Sequence, residues 1–236
     1  MSISKIFCFG DGYAHGHIWP EWPQILKALI PNREIVLVSG IGAGNEFLLN
    51  GLLQLDVTDQ AVIFQWAAAC RLDKIVEDTQ WSDIGKNDPV YHFNFYQRDK
   101  NLWWLSSASN HHHVRSYHDF YVQELQARTR LEDQKKLLTG YLVGKRCRYV
   151  EVSTEQQEIY SQQQQFRVSR GSEIQPSPVV HLHFLFEEIL PKLNIPYDQN
   201  RKDGLYRAIL NTDWKPYDPD REEIWQNIVN SLDIDR

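Results

Sequence analysis

A chain of 236 residues with 42% hydrophobic and 24% charged side chains has the size and balance of one α/β domain, or of one such domain with an appendage. Its 25 basic against 31 acidic residues leave a net charge of −6, which argues against nucleic acid as a bulk partner because phosphate binding needs a positive field. The N-terminus enters a short strand pattern with no charged-then-apolar leader, and runs such as AVIFQWAAAC are too short to span a bilayer, so the sequence reads as a soluble protein, not membrane-inserted, either unexported or exported without a cleaved signal.

In chain order, Lys5 to Gly10 reads as a strand. WPQILKALI, Trp22 to Ile30, has apolar residues at helical spacing and stops before Pro31-Asn32. EIVLVSG, Glu34 to Gly40, reads as a buried parallel strand running into the Gly-rich turn GIGAG. The helix NEFLLNGLLQL follows, with Asn45 as its expected N-cap. AVIFQW, Ala61 to Trp66, is a third buried strand. Strand, helix, strand, helix, strand is the pattern of a doubly wound parallel sheet. Such sheets place ligands at the carboxyl ends of their strands, here Gly10-Asp11-Gly12, Gly40 to Asn45 and Trp66 to Arg71.

Asp73 to Ser109 is less regular, with aromatic clusters VYHFNFY and LWWLSS, and reads as an insertion or lid. A long helix is expected from about His113 to Gly140, with Tyr117, Tyr121, Leu125, Leu131, Leu138 and Leu142 close to one stripe. CRYVEVS, Cys147 to Ser153, is a fourth buried strand, and the Gln-rich TEQQEIYSQQQQF after it reads as a mobile loop or short helix. PSPVVHLHFLFEEILPKL opens a helix with prolines and continues apolar to Leu193. Residues 1–196 are taken as the α/β domain and 197–236 as a helical C-terminal extension. In that extension Ile224, Trp225, Ile228, Val229 and Leu232 form an apolar face that either packs back on the domain or docks on a partner.

Four segments resemble, in order, the SGNH (GDSL-type) hydrolase superfamily, in a branch common in bacteriophages and marine microbes. They are Gly10-Asp11-Gly12, Gly42-Ala43-Gly44-Asn45-Glu46, Gln65-Trp66-Ala67, and Glu173-Ile174-Gln175-Pro176-Ser177-Pro178. The resemblance covers roughly residues 4 to 195 and implies a three-layer, SGNH-hydrolase-like doubly wound sheet. The chemistry of that superfamily needs a serine nucleophile, a histidine base, an acid to orient the histidine, and oxyanion donors. By position, Gly12 stands where the serine would be and Gln175 where the histidine would be. Glu173 corresponds to the acid, while Gly42 and Asn45 correspond to oxyanion donors. Glycine offers no nucleophile, and a glutamine amide does not titrate near neutral pH. The resemblance therefore implies a catalytically degenerate protein that kept the fold and works by binding or assembly.

Other constellations compete with that reading. Asp11 with His15 could form a substitute acid–base pair, which would keep the chain an active esterase or deacetylase on acylated carbohydrate or lipid. His181 and His183, two apart on a helix, face different ways and make no local ligand pair. His111 to His113, with His118, invite a zinc reading, but three adjacent histidines cannot all reach one ion from a regular helix, and HExxH is absent. GIGAGNE lacks the third glycine of a dinucleotide loop, and no GxxxxGK[ST] occurs, so neither a metal nor an organic cofactor is expected. Cys8, Cys70 and Cys147 are odd in number and widely spaced, and read as buried reduced thiols.

Eight Trp and eleven Tyr exceed what a core of this size requires. Tyr13, His15, Trp19 and Trp66 are the expected lining of a ligand cleft, since sugar rings stack on indole faces; core packing is the competing role for the tryptophans. The expected partners are a glycan or acylated sugar and, through 197–236 and surface aromatics, a virion or homo-oligomer. On the phage resemblance the chain is a capsid decoration or tail component made in the host cytoplasm. A cellular accessory protein of surface-polysaccharide metabolism is a third reading.

Overall fold

The computed structural model describes residues 3–11, 14, 20–40, 43–69, 73–77, 92–94, 102–106, 124–154, 167–170, 173–215 and 218–234. Four apolar runs build its main sheet: β1 (Lys5–Gly10), β2 (Glu34–Ser39), β3 (Ala61–Trp66) and, later in the chain, β7 (Arg148–Ser153). Their spatial order is β2-β1-β3-β7, and every pairing is parallel. The order reverses direction at β1, with β2 on one side and β3 on the other, as in a doubly wound sheet.

Side-chain alternation along the strands divides the core in two. Ile6, Cys8, Ala61 and Ile63 belong to one buried cluster, whereas Phe7, Phe9, Val62 and Phe64 belong to the other. The first is covered by α1 (Trp22–Leu29) and by helices from the C-terminal third. The second is covered by α2 (Asn45–Gln54) and α3 (Glu124–Gly144). Helices thus flank both sheet faces, which is why β3 is buried along its whole length and reads as a continuous apolar run.

Helix α1 begins with Pro23 in its first turn, and Gln24 Oε1 accepts from the backbone N–H of Glu21 at 3.2 Å. Helix α2 corrects the expected cap: Gly44 occupies the N-cap, and Asn45 is the first helical residue, its side chain directed elsewhere. Among the described residues helix α3 runs from Glu124 to Gly144, past the expected end at Gly140; the expected start at about 113 lies outside them, as do Tyr117 and Tyr121. Leu138 and Leu142 carry its buried stripe, with Leu131 partly buried beside them.

The stretch read as irregular holds an antiparallel sheet, β4 (Asp73–Glu77), β5 (His92–Asn94) and β6 (Leu102–Ser106), in the order β4-β6-β5. Its strands are short and rich in β-branched and aromatic residues, a local preference that the surrounding polar sequence obscures. A hairpin also escaped the sequence reading: β8 (Arg167–Arg170) pairs antiparallel with β9 (Glu173–Pro176).

Ser177 caps α4 (Pro178–Phe184), its hydroxyl accepting from the Val180 N–H at 3.4 Å, with Pro178 in the first turn. The helix widens into a π turn at Leu185–Ile189 and closes with Leu190–Leu193. Helices α5 (Gln199–Asn211) and α6 (Arg221–Ile234) complete the chain. Asp198 caps α5 by accepting from the N–H groups of Asn200 and Arg201. The extension packs back on the domain: Leu205 and Ile209 are fully buried, and Ile228 joins them in the cluster that contains Ile6 and Trp22. Burying a Leu or Ile contributes ~1.5–3 kcal/mol. Helix α6 crosses α5 at Gly204, where an added Cβ would come within 2.7 Å of Leu232 Cδ2. Among the described residues, no helix is long and apolar enough to cross a membrane.

Candidate functional site

The strand order reverses at β1, which makes the carboxyl ends of β1 and β3 the position where open parallel sheets bind ligands. Register brings several polar residues to it. Phe9 pairs with Phe64, which sets Asp11 level with Trp66. Trp66 pairs with Ser153, which sets Thr154 level with Ala67. Asp11 is fully buried, and Thr154 is 2% exposed. The Thr154 hydroxyl lies 3.1 Å from Asp11 Oδ2 and 3.1 Å from the Trp66 carbonyl oxygen, and shares its single proton between them. Three strand ends are thereby tied through one side chain.

A second tie joins α2 to the end of β3. Asn45 Nδ2 donates to the Ala67 carbonyl at 3.1 Å, and the Ala67 N–H donates to Asn45 Oδ1 at 2.9 Å. Asn45 is 3% exposed. The expectation that it serves as an oxyanion donor is therefore corrected, because its amide grips the backbone of the loop after β3. Beneath this layer, Trp22 Nε1 donates to Gln65 Oε1 at 2.9 Å, both side chains being fully buried. Gly10 fits against that pair: an added Cβ would lie 2.5 Å from Ala14 Cβ and 2.9 Å from Gln65 Oε1. The glycine before Asp11 is required for close approach of the chain.

Trp66 is corrected as a ligand platform. It is 2% exposed, its ring centroid lies 4.5 Å from that of Phe64, and its Nε1 donates to Glu151 Oε2 at 2.9 Å. The other Glu151 oxygen accepts from Thr139 at 3.1 Å, so the indole is held by a polar link between β7 and α3. Gly12, Tyr13, His15, His17, Trp19 and Gly42 lie outside the described residues, as do Cys70, Trp81, His111 to His113 and His118. Glu173 and Gln175 lie on β9, where Gln175 pairs with Val168 and Glu173 with Arg170.

The two α4 histidines separate as their spacing implies. His181 is 1% exposed, and burial pushes its pKa down to about 3, so the ring stays neutral. His183 is partly exposed, with Nδ1 at 3.2 Å from Glu187 Oε1 and Nε2 at 3.5 Å from Tyr206 Oη. Burial also raises the Cys8 thiol far above its usual range, leaving it un-ionised, and the half-buried Cys147 donates to the Val57 carbonyl at 3.0 Å. Among the described residues, no three His, Cys, Asp or Glu side chains gather where they could hold a metal ion.

Thr154 was not singled out from the sequence, although it directly follows the fourth buried strand, and strand ends are where such residues belong. Its hydroxyl–carboxylate pair with Asp11 has the atoms of a nucleophile and a base. Its burial keeps that oxygen away from a substrate carbonyl, so in this arrangement the pair braces the strand ends. Compared with known proteins, the chain matches no family model, no curated protein and no solved structure.

Proposed function

We propose that the chain is a catalytically degenerate SGNH-like protein that acts by binding or assembly rather than by turnover. The observation that carries this reading is the pair of residues at the aligned reactive positions, Gly12 for the nucleophile and Gln175 for the base. Neither can perform its step, and nucleophile and base act as a unit, so losing both removes the chemistry. Support comes from the strand ends. Asp11 is tied to Thr154, and Asn45 is tied to Ala67, an arrangement that holds loops in place and leaves neither group aimed at a reacting carbonyl.

The ligand class we assign is a glycan or acylated sugar, bound where the segment carrying Tyr13, His15 and Trp19 leaves the end of β1. A virion component, as capsid decoration or tail protein, is the setting that the phage-branch resemblance implies. The test is a titration with acetylated oligosaccharides in which indole fluorescence and acetate release are followed in the same samples. A saturable fluorescence change without acetate release is the expected result. Acetate release that Asp11→Ala or His15→Ala abolishes would overturn the reading in favour of an esterase with a substitute site.

A further inference from the structure

A cavity of about 270 Å³ lies at the end of the sheet opposite to Asp11 and Thr154. It is walled by the turn that carries the chain from α1 into β2 and by the segment that enters α5. Arg33, the residue before β2, donates through Nη1 to the carbonyl of Ile3, just ahead of β1, which places the cavity at the amino ends of these two strands. Two cations belong to its lining, Arg33 and Arg201. Arg201 is 5% exposed and donates through Nε to the Ala28 carbonyl in the last turn of α1. The described ion pairs include none with Arg33, and a guanidinium has five N–H donors, of which the Ile3 carbonyl takes one. One carboxylate also lines the cavity: Asp198, whose Oδ1 accepts from the backbone N–H groups of Asn200 at 2.8 Å and Arg201 at 3.3 Å. The charged lining is therefore two cations against one anion. Much of the remaining wall is apolar, with Pro31, Pro196 and the ring of Tyr197. Tyr197 is held in place by stacking on Phe186, ring centroids 6.4 Å apart, and Lys202 Nζ sits 4.8 Å from the Phe186 centroid.

We propose that this cavity is a binding site for a small organic monocarboxylate with an aromatic or branched apolar body. Arg33 takes the carboxylate, in the field of the buried Arg201, and Tyr197 with the two prolines packs on the body. A single negative charge matches the net charge of the lining, whereas a phosphate, with up to two, would bring its second charge against Asp198. Volume sets the size of the occupant: an apolar cavity of roughly 150 Å³ holds benzene, and drug-sized ligands take roughly 300–1,000 Å³, so this one suits a molecule between the two. None of these residues belongs to the carboxyl ends of the strands, and the inference is independent of whether a glycan binds there.

Benzoate titrated into the isotopically labelled full chain, with benzamide as its neutral counterpart and inorganic phosphate as the more highly charged anion, tests it by amide chemical shifts. Saturable shifts are expected with benzoate at the backbone N–H groups of Ile30, Arg33, Tyr197 and Arg201, with a dissociation constant on the order of 1 mM or below. Benzamide and phosphate are expected to bind at least about tenfold more weakly, and Arg33→Gln to weaken benzoate at least about tenfold. Tyr197→Ala weakens benzoate and benzamide alike. Arg201 also holds the end of α1, so the partly exposed Arg33 and Tyr197 are the positions to vary, and unchanged shifts far from the cavity confirm that each variant is folded. No saturable shift up to about 20 mM benzoate overturns the proposal. So do equal affinities for benzoate and benzamide, tighter binding of phosphate, wild-type affinity in Arg33→Gln, or shifts confined to the strand carboxyl ends around Asp11 and Ala67.

Discussion

Thr154 and Asp11, 143 positions apart in sequence, meet at 3.1 Å inside the protein, hydroxyl to carboxylate. The contact joins the ends of β1 and β7 across β3, to which the same hydroxyl is tied through the Trp66 carbonyl. A buried carboxylate that loses a donor is left with part of its desolvation cost uncompensated. Thr154→Val keeps the shape and removes the hydroxyl. Urea unfolding is expected to show a loss of about 1–3 kcal/mol for this variant. A loss within experimental error would mean that the contact carries little of the order at the strand ends.

Gly10 makes a second prediction at the same place. A methyl group there collides with Ala14 Cβ and presses on Gln65 Oε1, the acceptor for the Trp22 indole. Gly10→Ala is expected to destabilise by about 1–3 kcal/mol, as overpacking does. It should also shift the fluorescence of the buried Trp22, because its hydrogen-bond acceptor moves. Unchanged stability and emission would show that the turn after β1 gives way freely.

The sheet was legible because buried parallel strands are continuous apolar runs, and the described β1 and β3 keep the bounds read from the sequence. Asp11 could be placed at the carboxyl end of β1 from the strand-end rule alone. The role of Asn45 could not, since an amide reads the same whether it caps a helix, faces an oxyanion or grips Ala67 across 22 positions. Trp66 was misjudged although the signal was present: Val62, Phe64 and Trp66 share strand parity, and the first two are core. The extension's apolar face on α6 was clear, but its covering by α5, which itself packs on α1 and α4, depends on three-dimensional proximity.

His181 gives a pH dependence. Its pKa is about 3 when folded against 6.5 for a free histidine side chain, so between these values the unfolded chain binds a proton that the folded chain does not. Its contribution to stability is complete above the unfolded value and is lost progressively as pH falls toward the folded one, by up to ~1.4 kcal/mol per unit. Wild type should therefore lose about 1 kcal/mol more than His181→Gln between about pH 7 and about pH 5.5 in urea unfolding. Equal losses in the two proteins would show that the ring takes up its proton without unfolding.

Ester hydrolysis tests the central claim most directly, measured on acetylated sugars and short acyl esters for the wild type beside the double variant Gly12→Ser, Gln175→His. No turnover above the uncatalysed rate is expected of the wild type, and turnover is expected of the double variant, because the variant restores nucleophile and base together. Wild-type turnover that disappears in Asp11→Ala or His15→Ala would contradict it and place a working site between Asp11 and His17.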